Sequence, residues 1–247
     1  FLEMESGVTI TAIIRDITDR KHLEKKLLQS ERLAAVGEAV AHVVHELKNP
    51  LMIIGGFTNQ IQNTMEDERV RQKLGMIVEE VARVERLVGE LGDFTKEYRL
   101  VRRQADVNSV LRDVVKFMGA AYPPDLYTFV ESLDPNLGEI LCDPDKLKQV
   151  FINIITNGIE AMGKGGVITL HSERIPHGIE VRISDEGRGI PEEDLQQIFE
   201  PFFTTRERGS GLGLAISYKI VQAHNGEISV LNRPGKGATF VIRIPRM

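Results

Sequence analysis

The chain has 247 residues, of which 42% are hydrophobic and 27% are charged, and its formal net charge at pH 7 is −5. This length and composition suit one to two globular domains with hydrophobic cores of their own and exclude a largely disordered chain. The negative charge balance argues against a nucleic-acid partner, because phosphate contacts need clustered Lys and Arg side chains.

Cys142 is the one cysteine of the sequence, so no intramolecular disulfide can form. We expect its thiol to fill space in a core. No apolar run approaches the roughly 18 residues that a membrane-spanning helix needs. We therefore expect this segment to be cytoplasmic and to make no membrane contact, with any membrane anchor lying upstream.

The first residues predict the end of a larger unit. Residues 8–14 alternate like a β-strand, and the charged segment 15–21 follows as an exit into a helix. Residues 1–18 resemble the C-terminal end of a PAS sensor domain. Signal input is then expected upstream of this chain.

A long helix is predicted from about Asp19 to Met65, where Pro50 is the only proline. Two heptad series of mostly apolar residues run side by side along it, which is typical of helical bundles. The first series is Leu33, Val40, Leu47, Ile54 and Ile61, and the second is Gly37, Val44, Leu51, Thr58 and Met65. A helix on the order of 70 Å long cannot bury such a stripe alone, so it needs partners.

His45 lies off this seam and is followed directly by Glu46. A neutral imidazole can attack phosphorus, and an adjacent carboxylate can hold or withdraw its proton. Asn49 lies one turn further on the same face, where its amide can orient a water molecule. The alternatives are an ordinary surface histidine and a surface asparagine that tolerates a kink before Pro50.

Two neighbours qualify this site. His42 is a rival acceptor, but Val43 stands where an acid would be needed. Pro50 cannot donate a hydrogen bond to the carbonyl of Glu46, so we expect the helix to bend there and the bend to affect access to the site.

A second helix is predicted after residues 66–68, and two antiparallel helices follow from the short connection. Its apolar positions are Leu74, Ile77, Val81, Val84, Val88 and Leu91. A hairpin covers only part of each stripe, so two hairpins are expected to form a four-helix bundle, that is, a homodimer. A domain boundary is predicted at residues 98–104, where the heptads stop.

A second domain is predicted beyond that boundary. Alternating and periodic segments give helices at 107–118, 145–162 and 213–224, and strands at 127–133, 140–141, 167–174, 179–185, 227–231 and 238–244. This mixed order predicts an α+β sandwich with helices on one face of a sheet.

The helix at 145–162 carries a polar arc of amides that differs from an ordinary solvated face, which usually holds Lys and Glu. The arc comprises Gln149, Asn153, Thr156, Asn157 and Glu160. Carboxamides can ligate Mg²⁺ and contact phosphate oxygens without adding negative charge. A plain amphipathic helix is the alternative.

Asp185 ends a predicted strand and precedes Gly187 and Gly189. Glycines at this spacing allow backbone to approach a flat ligand, and an acid there can accept the amino proton of adenine, which favours ATP over GTP. An ordinary turn explains the same pattern.

The segment from Phe199 to Gly213 predicts a mobile loop that covers a phosphate. Glycines before the helix at 213 let backbone N–H groups point at an anion at the positive helix end. Arg206 is either a clamp on the γ-phosphate or a solvated side chain. The later glycines Gly235 and Gly237 are interpreted as a structural hairpin.

In this order, the segments resemble the sensor histidine kinases of two-component signalling over nearly the whole chain. The resemblance implies the end of a PAS domain at 1–18, a dimerisation and histidine phosphotransfer hairpin at 19–100, and a catalytic ATP-binding domain of the GHKL type at 101–247. The expected fold is therefore multidomain, with a helical hairpin that forms a dimeric four-helix bundle, followed by an α+β sandwich.

The resemblance also implies roles for single residues. Glu46 is expected to be the base for autophosphorylation on His45, Asn49 to support dephosphorylation of a partner, and Asn157 to hold Mg²⁺. The expected ligands are ATP and Mg²⁺, and the expected partners are a second copy and a response regulator receiver domain. The other expected nucleotide-binding residues are Asn153, Asp185, Gly187, Gly189, Phe199, Thr204, Thr205, Arg206, Gly209, Gly211, Leu212 and Gly213.

The chain departs from many relatives at Gly158 and Glu160, where alanine or lysine often stands, so the cation that neutralises the phosphates stays open. Two other functions remain. A conformational ATPase would need a glutamate where Gln149 lies. A dimeric signalling scaffold would keep only nucleotide binding or phosphatase activity.

Overall fold

The computed structural model describes residues 2–3, 9–10, 44, 47–95, 99–206, 209–232 and 235–246. His42, His45 and Glu46 lie outside the described residues. Near the N-terminus, strand β1 (Leu2–Glu3) pairs antiparallel with β2 (Thr9–Ile10). The assignment of residues 1–18 to a PAS domain stays a prediction.

The predicted helical hairpin is confirmed over the described residues. Helix α1 spans residues 47–64 and continues through Pro50, and Val44 is also helical. Helix α2 (Glu68–Thr95) returns antiparallel to it. The turn between them is capped by Asp67, whose Oδ1 accepts hydrogen bonds from the backbone N–H groups of Arg69 (2.8 Å) and Val70 (3.3 Å).

The two predicted heptad series of α1 face different ways. The second series packs against α2, since Val44 and Thr58 are 5% and 7% exposed. Small residues permit this approach: a Cβ built on Gly92 would lie 3.1 Å from Val44 Cγ1, and one on Gly55 would lie 3.2 Å from Val81 Cγ1. The first series is exposed at Leu47, Ile54 and Ile61, by 42%, 48% and 45%.

The rest of the chain is an α/β unit. Its elements are β3 (Arg103–Asp106), α3 (Val107–Ala121), β4 (Tyr127–Leu133), β5 (Glu139–Cys142), α4 (Pro144–Met162), β6 (Gly166–Ile175), β7 (Gly178–Ser184), α5 (Gly213–Ala223), β8 (Glu227–Asn232) and β9 (Ala238–Pro245). A five-stranded mixed sheet has the order β4-β6-β7-β9-β8, in which the β4–β6 pair is parallel. Strand β3, which the sequence did not predict, pairs antiparallel with β5.

Alternation along the strands builds the core, as predicted. Ile179, Val181 and Ile183 of β7 point to the side where α3, α4 and α5 lie, and all three are buried. Cys142 is fully buried in the same core, and burial raises the pKa of its thiol to about 11. The expectation of a core-filling thiol is therefore confirmed.

The central helix α4 begins at a well-defined cap. Asp143 accepts a hydrogen bond from the N–H of Lys146 (3.1 Å), and Pro144 occupies the first turn, where its missing N–H costs nothing. Gly163 ends the helix with φ +64°. Among the described residues, no helix is both long and apolar enough to cross a membrane.

Candidate functional site

The predicted polar arc of α4 is half-exposed, while Val150, Phe151 and Ile154 on its other face are buried in the core. Asn153 within this arc holds the neighbouring helix, because its Nδ2 donates to Ser217 Oγ of α5 at 2.9 Å. The two helices approach so closely that a Cβ on Gly213 would lie 2.3 Å from Asn153 Oδ1. The amide therefore fixes the N-terminus of α5 beside α4.

Asp185 follows β7 and lies against the same part of α4. Its Oδ1 accepts hydrogen bonds from the N–H groups of Gly187 (2.8 Å) and Ala238 (3.3 Å). A Cβ on Gly158 would lie 2.9 Å from Asp185 Cβ, so an alanine would not fit there without movement. Burial raises the pKa of the Asp185 carboxyl, and the backbone hydrogen bonds oppose that rise.

The glycines after Asp185 shape the surrounding backbone. Gly187 is buried against Ala161 of α4, where a Cβ would lie 2.8 Å from Ala161 Cβ. Gly189 adopts φ +71°, a conformation that side-chain-bearing residues rarely take. The loop from 185 to 189 is thereby held close to the C-terminal half of α4.

Two residues expected from the resemblance to bind nucleotide lie in the core. Phe199 packs against Tyr218 and Phe240, with ring centroids 5.7 and 6.5 Å apart. Leu212 is 2% exposed and belongs to the hydrophobic core. Both side chains therefore anchor the loop before α5 to the hydrophobic core.

The loop closes on itself before α5. Phe202 donates its N–H to the carbonyl of Gly211 at 3.0 Å, and both residues have a positive φ, of 67° and 68°. A Cβ on Gly211 would lie 2.4 Å from the carbonyl carbon of Phe202, so only glycine fits.

The two threonines of this loop make local contacts. Thr204 Oγ1 accepts the N–H of Arg206 at 3.1 Å, and Arg188 Nη2 lies 3.5 Å from Thr205 Oγ1. Gly209 is tight against Thr204 Oγ1, at 2.6 Å from a built Cβ.

Arg206 reaches back to the polar arc of α4. Its Nη1 donates to Asn157 Oδ1 at 2.8 Å and to the carboxylate of Glu160, and its Nη2 donates to the Asn157 carbonyl oxygen at 3.2 Å. The structure thus brings Asn157 and Arg206 together, although 49 positions separate them.

The side-chain oxygen of Asn157 suits a Mg²⁺ ion that is bound together with a nucleotide. The described residues contain no group of three or more His, Cys, Asp or Glu side chains arranged to hold a metal ion. Mg²⁺ commonly keeps several waters and uses one or two protein ligands plus substrate phosphates. Asn157 Oδ1 fits this demand, because it is an uncharged amide oxygen on the half-exposed side of α4.

The end of α2 docks against the α/β unit, which the sequence did not predict. Ser210 donates its hydroxyl hydrogen bond to the carboxylate of Glu90. Lys219 of α5 donates to the carbonyl oxygen of Phe94 at 2.6 Å and lies 4.0 Å above its ring. The Phe94 ring also meets Phe202 edge-on, 6.4 Å between centroids. Burial lowers the pKa of Lys219. A lysine in an apolar helix is a weak sequence signal for such a contact.

Asn49 belongs to the segment around His45 that is predicted to accept the phosphoryl group. It is exposed on α1. His45 and Glu46 lie outside the described residues. The rival interpretation of Asn49 as a surface residue shares this exposed position, so its role stays a prediction.

Comparisons with known proteins cover most of the chain. Residues 35–97 match the "His Kinase A (phospho-acceptor) domain", and residues 142–247 match the "Histidine kinase-, DNA gyrase B-, and HSP90-like ATPase" family. Sporulation kinase E of Bacillus subtilis is 36% identical over 235 residues, which cover 95% of this chain and 32% of that protein. The chain spans about a third to about a half of the length of the curated relatives it matches.

Solved structures agree. The structure of histidine kinase ThkA in complex with response regulator protein TrrA is 34% identical, with a TM-score of 0.66, and the match covers 94% of this chain and 68% of that one. Full-length ShkA in complex with AMPPNP has a TM-score of 0.77 at 26% identity, with 85% of this chain and 46% of that chain covered.

Proposed function

The chain belongs to the histidine kinase family, and from that premise we propose that it transfers the γ-phosphoryl group of ATP to His45 and then to an aspartate of a response regulator. The observation that carries the proposal is the convergence of Asp185, Asn157 and the N-terminus of α5 on one side of α4. This side combines an acid, an amide oxygen and a positive helix end, which are the groups that an adenine nucleotide with Mg²⁺ requires.

The proposed chemistry at His45 is an in-line displacement. A lone pair on one imidazole nitrogen attacks the γ-phosphorus, and the bond from that phosphorus to the bridging oxygen of ADP breaks. Glu46 accepts or holds the proton on the other ring nitrogen, so the phosphorylated imidazole does not carry an extra positive charge. Positioning and charge neutralisation supply most of the rate in such transfers.

Each side of the proposed nucleotide pocket has a separate task. Asp185 accepts a hydrogen bond from the amino group of adenine. The N–H groups of Gly187 and Ala238 donate to Asp185 Oδ1 and so hold the carboxylate in place. The N–H groups at the start of α5 face the phosphates, as at other helix N-termini. Mg²⁺, when bound, would neutralise phosphate charge. Asn157 is the described residue that would hold it.

A homodimer is proposed from the uncovered face of the hairpin. Apolar side chains on α1 and α2 are exposed. Two of them, Met76 and Ile77 of α2, line a groove of about 320 Å³ together with Leu51, Val81 and Val84. The most exposed of them are Met52, Ile53, Phe57 and Met76. Monomeric proteins rarely leave so continuous an apolar face in water, and a second hairpin would cover it.

The partner of the phosphorylated histidine is proposed to be the receiver domain of a response regulator. The solved structure of ThkA in complex with response regulator protein TrrA supports a partner of this class. We further propose that the chain dephosphorylates this partner, with the amide of Asn49, which is exposed on α1, orienting the water. We further propose the functional boundaries 19–100 and 101–247, with PAS-type signal input before residue 19.

The direct test incubates the chain with MgATP labelled at the γ-phosphate and examines the label for acid lability and alkali stability. The wild type and His42→Gln should become labelled, whereas His45→Gln should not. Label that survives in His45→Gln and vanishes in His42→Gln would refute the assignment. Bound ATP without any labelling would refute kinase activity and favour a scaffold.

A further inference from the structure

Arg206, Asn157 and Glu160 form a small cluster that we call the Arg206 cluster. One guanidinium group makes three hydrogen bonds to a single turn of α4, two to Asn157 and one to the Glu160 carboxylate. The ion pair is half-exposed, with 35% of the Arg206 side chain and 47% of the Glu160 side chain accessible. Glu160 therefore supplies the negative charge that keeps Arg206 on this turn.

The position of Arg206 conflicts with the proposed role of Asn157. The oxygen that would hold Mg²⁺ is Oδ1, and Oδ1 already accepts a hydrogen bond from Arg206 Nη1. A guanidinium and a divalent cation cannot share one amide oxygen at close range without strong repulsion. The two cations are therefore alternatives at Asn157.

We propose that Glu160 is a positioning residue that holds Arg206 on Asn157 Oδ1, so that a Mg²⁺ ion carried by ATP would have to displace Arg206 from this oxygen. This inference rests on the proposed function. An Arg206 side chain released from Asn157 would be free to bind phosphate oxygens, which its bidentate geometry suits. Because this release breaks the contact with Glu160, Glu160 should weaken the binding of ATP that carries Mg²⁺ and should affect free ATP, which leaves Arg206 in place, less.

The departure of this chain from its relatives supports the assignment. A lysine at position 160 would contact phosphate directly and would repel Arg206. Glu160 does the opposite: it attracts Arg206. Its effect on nucleotide binding should thus act through Arg206 rather than by contact.

The test is a double-mutant cycle with Glu160→Gln and Arg206→Gln. The affinity of a fluorescent trinitrophenyl derivative of ATP is measured with excess Mg²⁺ and with a chelator, in the whole chain. Glu160→Gln should bind the Mg²⁺ form at least about 5-fold more tightly than the wild type and should change the affinity for the free nucleotide less, so the gain from Mg²⁺ grows. In the Arg206→Gln background, the same Glu160→Gln change should have little effect.

Each contrary outcome has a distinct meaning. If Glu160→Gln tightens binding equally in both Arg206 backgrounds, Glu160 acts by general repulsion and the proposal is overturned. An equal effect with and without Mg²⁺ overturns it as well. If the wild-type chain binds no nucleotide, the proposed function itself fails, and the exchange at Asn157 fails with it.

Discussion

Gly237 offers a sharp test of how the nucleotide site is built. It is buried, has φ +94°, and a Cβ at this position would lie 1.9 Å from the carbonyl oxygen of Asp185. Gly235, two residues earlier, has φ +72°, but a Cβ there would meet nothing within 4 Å. Alanine at the two positions therefore separates backbone strain from steric collision.

The expected costs differ accordingly. Gly235→Ala carries only the strain of a left-handed conformation, about 1–2 kcal/mol. Gly237→Ala adds the displacement of the Asp185 backbone, about 1–3 kcal/mol more. Because the Asp185 carboxyl is fixed through Gly187 and Ala238, its displacement should also weaken ATP binding about 10- to 100-fold, the equivalent of a charged hydrogen bond.

Urea denaturation measures the free energy of unfolding of both variants, and calorimetric titration with MgATP measures their affinity. Gly235→Ala should keep near-wild-type affinity, and Gly237→Ala should lose both stability and affinity. Equal values for the two variants in both measurements would show that Gly237 does not support Asp185, contrary to this reasoning.

Three further outcomes are expected. His224 is buried, with Nε2 accepting the N–H of Asp143 at 2.9 Å, and burial lowers its pKa from the ordinary 6.5; the unfolded chain then binds the proton more readily, so unfolding free energy should fall as pH drops below about 6.5, and His224→Gln should flatten that slope. Asp185→Asn should weaken ATP binding about 10- to 100-fold, because an amide N–H would face the adenine amino group. Ile54→Glu should weaken the proposed homodimer at least about 10-fold, because it puts a charge on the apolar face.

Matched measurements decide each case. The free energy of unfolding is measured between pH 5 and 8. If its full dependence on pH persists in His224→Gln, a group other than His224 causes that dependence. Glu186→Gln removes a neighbouring negative charge, and equal loss of ATP affinity in this variant and in Asp185→Asn would argue against a specific hydrogen bond to adenine. Asn59→Glu places the same charge at an exposed polar position of α1, and light scattering should show it still dimeric; a monomer in both variants would speak against the apolar seam.

The local periodicity of apolar residues predicted most elements of the fold. Strands and helices of the α/β unit were predicted to within a few residues because apolar and polar residues alternate along strands such as β7 and apolar residues recur every three to four positions along helices such as α4. Strand β3 (Arg103–Asp106) was missed since it is short and its residues are exposed or half-exposed. Its pairing with β5 rests on backbone hydrogen bonds, which leave no side-chain pattern to find.

The site was less accessible to sequence reasoning. The polar arc on α4 could be predicted from its spacing, but the pairing of Arg206 with Glu160 joins residues 46 positions apart and has no local signature. Asn153 was expected to bind nucleotide, and its amide holds Ser217. Long-range hydrogen bonds of this kind depend on how the elements pack, which local patterns do not encode.

The contact between Lys219 and Phe94 also determines the reach of the connection between the two parts of the chain. Helix α2 has no basic residue in its last turn, so Lys219 supplies the positive charge at its negative end. Such a charge is worth about 0.3–1 kcal/mol. Separation of the α/β unit from α2 would remove this support, and the last turn would then unwind more easily. Each unwound residue would lengthen the tether by about 2 Å, since extended chain spans about 3.4 Å per residue and helix about 1.5 Å. Loss of the contact would therefore extend the distance over which the ATP-binding unit could travel.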